Sequence, residues 1–173
     1  MGALEFGGAM TPEERSAVYR TLAEGFRYGG AAWEELGIGG ADCNDAFDPA
    51  VTEGACSLRE GAHAEEDQSS IFEELMRFYE FFGLSRDADA EMPDHLSVEL
   101  EFMHFLTHLE SQVADRPDDV ASLRMAQRDF LSRHLKRLTE GLSRSLKTEH
   151  PGCIELVRMC TGFVQAELSH LAG

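Results

Sequence analysis

The chain has 173 residues, 43% of them hydrophobic and 27% charged, enough for one domain with a core, which excludes two independent units and disorder throughout. Asp and Glu number 32 against 15 Lys and Arg, a net charge of -17, which argues against nucleic acid and anionic membrane surfaces as partners, since both reward cationic proteins. No run approaches the roughly 18 apolar residues of a bilayer span, and the first ten residues hold Glu5 but no Lys or Arg, unlike an export signal.

Thr11-Pro12-Glu13-Glu14 combines a hydroxyl cap, Pro at the first helical position and Glu three residues after the cap, which predicts a helix start. Val18, Leu22 and Phe26 give that helix an apolar face, with its end expected near Gly29-Gly30. Residues 36 to 68 are Gly-rich and acidic, a connecting stretch with room for a short helix at 55–64. Ser70-x-x-Glu73 reads as a second capping box, opening a short, heavily buried helix that stops at Gly83 in the left-handed conformation. Pro93 is expected to open a central helix with apolar residues around more than half its surface, from Leu96 to Val113. Beyond a break at Pro117, Val120 to Gly141 carries helical spacing, and Pro151 precedes a final helix. The expected architecture is all-α, a single-domain bundle of about six to eight helices spanning residues 1–173.

Charge is concentrated. Residues 34–119 hold 23 acidic and 4 basic side chains, whereas residues 120–173 hold 5 and 8. Solubility accounts for part of this, and attraction of a cationic partner is the functional reading. Cys153 and Cys160 lie seven apart on one helix, about 10 Å between α-carbons, too far to bond to each other. No Cys-x-x-Cys pair occurs, so the four cysteines (43, 56, 153 and 160) are expected to be reduced, structural thiols.

Three Glu-x-x-His pairs, Glu60/His63, Glu101/His104 and Glu167/His170, have the spacing that places two metal ligands on one helical face of a di-iron bundle. A Glu-rich chain meets that spacing by chance, and a helical metal-binding, di-iron-like or redox protein is therefore the alternative reading. His104 with His108 is a second metal candidate and His95 with Glu99 an acid–base candidate, each with a plain structural counterpart. There is no Gly-x-Ser-x-Gly elbow and no phosphate loop, and the expectation is a protein that is not an enzyme and has no cofactor.

Met92-Pro93-Asp94-His95-Leu96-Ser97-Val98-Glu99-Leu100-Glu101-Phe102-Met103 stands out. Read from the residues it is a helix start with Asp94 and His95 at the positive end of the dipole. It also resembles the signature of the TorD/DmsD/NarJ family of molybdoenzyme assembly chaperones, in which a Pro-Asp-His-hydrophobic stretch opens a central helix. The likeness continues through Tyr19-Arg20-x-Leu22-Ala23, Phe78-Tyr79-x-x-Phe82 and Ala126-Gln127-Arg128-Asp129-Phe130-Leu131-x-x-His134-Leu135. Two departures are Met92 where Glu usually precedes Pro-Asp-His, with Glu91 one place earlier, and Lys136-Arg137-Leu138 where a Trp often follows His-Leu. Residues 72–79 and 96–103 are most similar to the branch serving ethylbenzene, dimethylsulfide, chlorate and selenate enzymes, the type II dimethylsulfoxide reductase family.

The resemblance implies a system-specific cytoplasmic chaperone, monomer or dimer, that binds the apo catalytic subunit of a molybdopterin oxidoreductase through its twin-arginine leader until cofactor insertion is complete. The candidate partner-binding residues are Asp94, His95, Leu96, Glu99, Phe102, Met103, Tyr79 and Phe82. No other class of partner is expected, neither nucleic acid nor an inserted membrane.

Overall fold

A computed structural model describes residues 9–27, 43, 46–50 and 53–173. Among these residues it is all helical, with one isolated bridge between Arg59 and His95 as its only β feature. In chain order there are α1 (Pro12–Gly25), a 3-10 turn (Glu60–His63), α2 (Gln68–Phe81), α3 (Leu96–Gln112), α4 (Pro117–Phe130), a π-helical turn (Leu131–Leu135), α5 (Lys136–Ser145) and α6 (Pro151–Ala172). Because α4, the π turn and α5 follow one another without a break, the described residues form five rods, slightly below the expected six to eight.

The punctuation at 11–14 acts as the sequence predicts. Thr11 Oγ1 accepts the Glu14 amide at 3.1 Å and Glu14 Oε2 accepts the Thr11 amide at 2.9 Å, closing the capping box. The helix ends at Gly25, and the expected stop at Gly29-Gly30 lies outside the described residues. Ser70 does not cap α2. The helix starts three residues after the connecting stretch reaches Glu65, with extended Asp67 as its flanking residue and Ser70 already inside its first turn. Only Ile71, Leu75 and Tyr79 of α2 are buried, so it lies on the surface rather than deep inside. Its stop is as expected, Gly83 taking φ +75°. Pro93 does not open α3 either: His95 is the cap, its Nδ1 accepting the Ser97 amide at 3.1 Å, and Pro93 and Asp94 form the preceding turn.

The central position of α3 follows from its all-round apolar surface. Leu96, Leu100, Met103 and Leu106 are fully buried, and α1 packs along it more extensively than any other described helix pair. Polar bonds fix the remaining helices to this axis. Arg15 of α1, buried, donates through Nε to Glu167 Oε1 at 2.9 Å, through Nη1 to Glu110 Oε2 at 3.0 Å and through Nη2 to Gln127 Oε1 at 2.6 Å. Gln127 and Arg124 donate to Glu110, and the Tyr19 hydroxyl donates to Glu167 at 3.0 Å. One guanidinium therefore joins α1, α3, α4 and α6.

The expectation of four reduced thiols is corrected. Cys43 and Cys153 form a disulfide, with α-carbons 5.6 Å apart, fastening residue 43 to the first turn of α6 across 110 positions of sequence. That pairing has no local signal, since only the fold brings the two positions together. Cys56 and Cys160 are free and buried, and burial raises their thiols to about 11 and about 12.

Candidate functional site

The Pro93-Asp94-His95 turn lies against residues 58–61. Leu58 carbonyl accepts the Leu96 amide at 2.8 Å, and Asp94 carbonyl accepts the Glu60 amide at 2.9 Å. The Asp94 side chain, fully buried, accepts Arg59 Nε on Oδ1 and the Gly61 amide on Oδ2, both at 2.9 Å. Gly61 permits this approach, because a Cβ there would sit 3.1 Å from Asp94 Oδ2. The Tyr79 hydroxyl of α2 donates to the Pro93 carbonyl at 2.8 Å. The turn is thus held on three sides, and of its polar atoms His95 Nδ1 and the His95 carbonyl, which accepts the Val98 and Glu99 amides at 3.0 Å, serve the start of α3.

This docking drives Glu60 into the core. It meets His134 Nδ1 at 2.9 and 3.0 Å, Arg137 Nε at 3.0 Å, and Arg137 Nη2. Burial alone would raise its carboxyl, but the bonds from His134 and Arg137 outweigh that and hold it below the usual range. Glu99, on the first turn of α3, is buried beside it with no N–H or O–H reaching either oxygen. Burial, then the charge and contact of Glu60, push the Glu99 carboxyl well above its ordinary value. Burial also lowers the His95 imidazole, against the pull of Glu91 and Asp94.

Two concavities lie at this end of the bundle. A groove of about 580 Å³ runs between α2 and α4, lined by Phe78, Phe81, Phe82, Leu123 and Met125, with Glu74, Arg77, Asp129 and Arg133 among its polar residues. Phe81 is 83% and Met125 57% exposed, the two largest such values among the described large apolar side chains. A cleft of about 510 Å³ between α1, the end of α2 and α3 has Tyr79, Phe102 and Phe105 in its walls with Arg20, Arg27 and Arg86. The two are joined through one aromatic cluster: Phe78 and Phe82 of the groove meet Phe102 edge to face, with ring centres 6.3 and 5.9 Å apart.

The family described as nitrate reductase delta subunit matches residues 12–141. The chain belongs to that family. This is the TorD/NarJ group whose signature the sequence resembles. It is 37% identical over 140 residues to the selenate reductase assembly chaperone protein of Thauera selenatis and 34% over 139 residues to the chlorate reductase assembly chaperone protein of Ideonella dechloratans, in both cases over 72% of each chain. A perchlorate reductase assembly chaperone protein from Dechloromonas aromatica is 40% identical over 92 residues, 52% of this chain and 41% of the relative.

In this TorD/NarJ-type chain the signature segment is interior. Asp94, His95, Leu96, Glu99, Phe102, Met103 and Tyr79 are all buried, whereas Phe82 is half-buried on the groove. Tyr79 and Phe102 reach the cleft. His95 and Glu99 do not pair, since His95 Nδ1 is engaged by Ser97 and Glu99 meets Glu60. The Glu-x-x-His carboxylates are each taken by an arginine: Glu60 by Arg137, Glu101 by Arg27 and Glu167 by Arg15. No three His, Cys, Asp or Glu among the described residues gather as a metal cluster. His104 Nδ1 meets Ser16 Oγ at 2.7 Å, and its ring centre lies 6.3 Å from that of His108. Glu60 entered the sequence reading only as a metal candidate with His63 and Arg137 only as a departure from the signature, and the residues it passed over are Arg59, Phe81 and Met125. The only sequence signal for the last two is an apolar residue out of step with its helix's buried stripe.

Proposed function

We propose that this chain is a system-specific chaperone that binds the apo catalytic subunit of a molybdopterin oxidoreductase through its N-terminal twin-arginine leader, in the cytoplasm and without catalytic activity of its own. Family membership supports the reading, as do relatives named as assembly chaperones of selenate, chlorate and perchlorate reductases. The single observation that carries it is the α2/α4 groove, which leaves Phe81 and Met125 in water. Such a cost is offset when an amphipathic helix lays its apolar face there.

The leader's apolar stretch would lie in that groove, while its arginines are drawn by the acidic excess of residues 34–119. Phe82 would touch the leader directly, and Tyr79 and Phe102 would line the adjoining cleft. Asp94, His95, Leu96, Glu99 and Met103 would contribute from below, by fixing the start of α3.

Capture of the protein's complexes from its native host, followed by mass spectrometry, tests the partner: a molybdopterin oxidoreductase catalytic subunit is expected, and its absence would sink the proposal. Calorimetric titration with that subunit's leader peptide tests the place. Phe81→Asp and Met125→Asp are expected to lose at least about tenfold in affinity, roughly 1.4 kcal/mol each, while melting as the parent does. High salt is expected to weaken the parent's affinity, because exposed charges are screened beyond about 8–10 Å. Equal affinity in all three proteins would remove the groove from the function.

A further inference from the structure

The Glu60 cluster holds a carboxyl for which partner docking has no direct use. Glu99 is completely buried, and neither oxygen has a hydrogen-bond donor. The strongest charge acting on it is the buried carboxylate of Glu60, which is already supplied by His134 Nδ1 and two nitrogens of Arg137. Two ionised carboxylates in contact repel, and neither can donate, whereas a single proton between them makes an O–H···O hydrogen bond. Glu60 has the cationic and N–H partners that favour its ionised form, and Glu99 has none. The proton therefore belongs to Glu99.

We infer that Glu99 is a positioning residue that carries a proton and donates it to Glu60, locking the cluster against the wall of the α2/α4 groove. The route to that wall is short. His134 meets Phe78 edge to face, ring centres 5.7 Å apart, and its Nε2 faces Glu74 Oε1 at 3.4 Å. Phe78 and Glu74 both line the groove. The other groups acting on the pair are Asp94 from the turn, Arg137 from α5 and Tyr79 from α2. Asp94 opposes ionisation of Glu99 and Arg137 favours it, and the Asp94 charge is itself met by Arg59. The link to docking rests on the groove reading above, but the proton on Glu99 does not.

Carboxyl-carbon NMR of protein labelled at glutamate, assigned by the resonance lost in Glu99→Gln, tests the proton directly. Glu99 is expected to resonate as a protonated acid above pH 4.5, where an ordinary glutamate is ionised. Gln can still donate to Glu60 through its amide, so Glu99→Gln should keep the fold and should lose the parent's decline in stability as pH rises above 4.5. Glu99→Leu removes the donor and should bind the leader several-fold more weakly. If that variant fails to fold, the Glu99 resonance and the Gln pH profile still decide. An ionised Glu99 at neutral pH overturns the inference, as does a Gln variant that keeps the parent's decline above pH 4.5. A parent protein that binds no leader, yet shows the protonated resonance, would defeat the docking reading and leave the proton on Glu99.

Discussion

The Arg15 and Glu60 clusters bury the same chemistry, guanidinium against carboxylate, and complete it to different degrees. Every nitrogen of Arg15 and every carboxylate oxygen of Glu110 and Glu167 has a partner. The buried side-chain atoms without a hydrogen bond among the described residues, Arg59 Nη2, both Glu99 oxygens and His134 Nε2, belong to the other cluster. The difference tracks location. Arg15 lies where four helices converge and lines neither concavity, so a closed network serves as a rivet. The Glu60 cluster borders the groove and leaves groups unmatched, at a cost in stability that is tolerated where a site needs adjustable parts.

The largest expected effect breaks the closed network. Arg15→Met strands Glu110 and Glu167 in the core and should cost about 3–5 kcal/mol, read from urea unfolding as a lower midpoint at unchanged slope. A loss under about 1 kcal/mol would mean that the two carboxylates find water or each other, and that the rivet description is wrong.

Next comes the support of the open cluster. A Cβ at Gly141 would lie 2.5–2.6 Å from the His63 ring, whose Nε2 is fixed to the Ser57 carbonyl at 2.7 Å. Gly141→Ala should therefore displace the 3-10 turn and cost about 1–3 kcal/mol, with faster amide exchange at Glu60 and Gly61. Unchanged exchange there would show that the ring swings aside freely. Glu60→Gln should cost less, about 1–2 kcal/mol, because Arg137 is 25% exposed and keeps its bond to Glu66 at 2.9 Å.

The smallest effect is also the sharpest contrast, since the clusters should respond to pH with opposite sign. Burial raises Glu110, but bonds from Arg124 and Gln127 and the charge of Arg15 leave it below its ordinary 4.5, so its contribution is present above pH 4.5 and lost as pH falls through its lower native value. Glu99 sits above 4.5, so its contribution is complete below pH 4.5 and is lost as pH rises through its native value. Thermal melts across pH should show Arg15→Met flattening the limb below pH 4.5 and Glu99→Gln the limb above it. Both limbs responding to one variant would mean that the clusters are not independent.

Much of the fold was legible because it rests on local punctuation. Thr11, Pro117 and Pro151 act within one helical turn, and the stripes Leu96, Leu100, Met103 and Leu106 report their own burial. The signature was legible as a helix start, but the burial of Asp94 and Glu99 was not, because the groups that receive them, Arg59, Glu60 and Gly61, stand more than thirty positions earlier in a segment with no periodicity. The Cys43–Cys153 bond was hidden for the same reason. Phe81 and Met125 were visible as residues, but their exposure depends on how α2 and α4 pack.

The π turn sets a rotational phase. Its extra residue per turn, marked by the Lys136 amide bonding back to the Leu131 carbonyl, lets neighbouring positions face different tasks: Arg133 looks to Glu74 on the groove and His134 to Glu60 inside. It also sets the angle at which α5 presents Leu138 and Leu142 to the core. Deleting the exposed Ser132 would restore an ordinary α period and turn everything downstream by about 100° relative to α4. Leu138 and Leu142 would swing towards water, and Arg137 away from Glu60. A one-residue deletion on the surface would thus leave helix content nearly intact and dismantle both the core seam and the acid cluster.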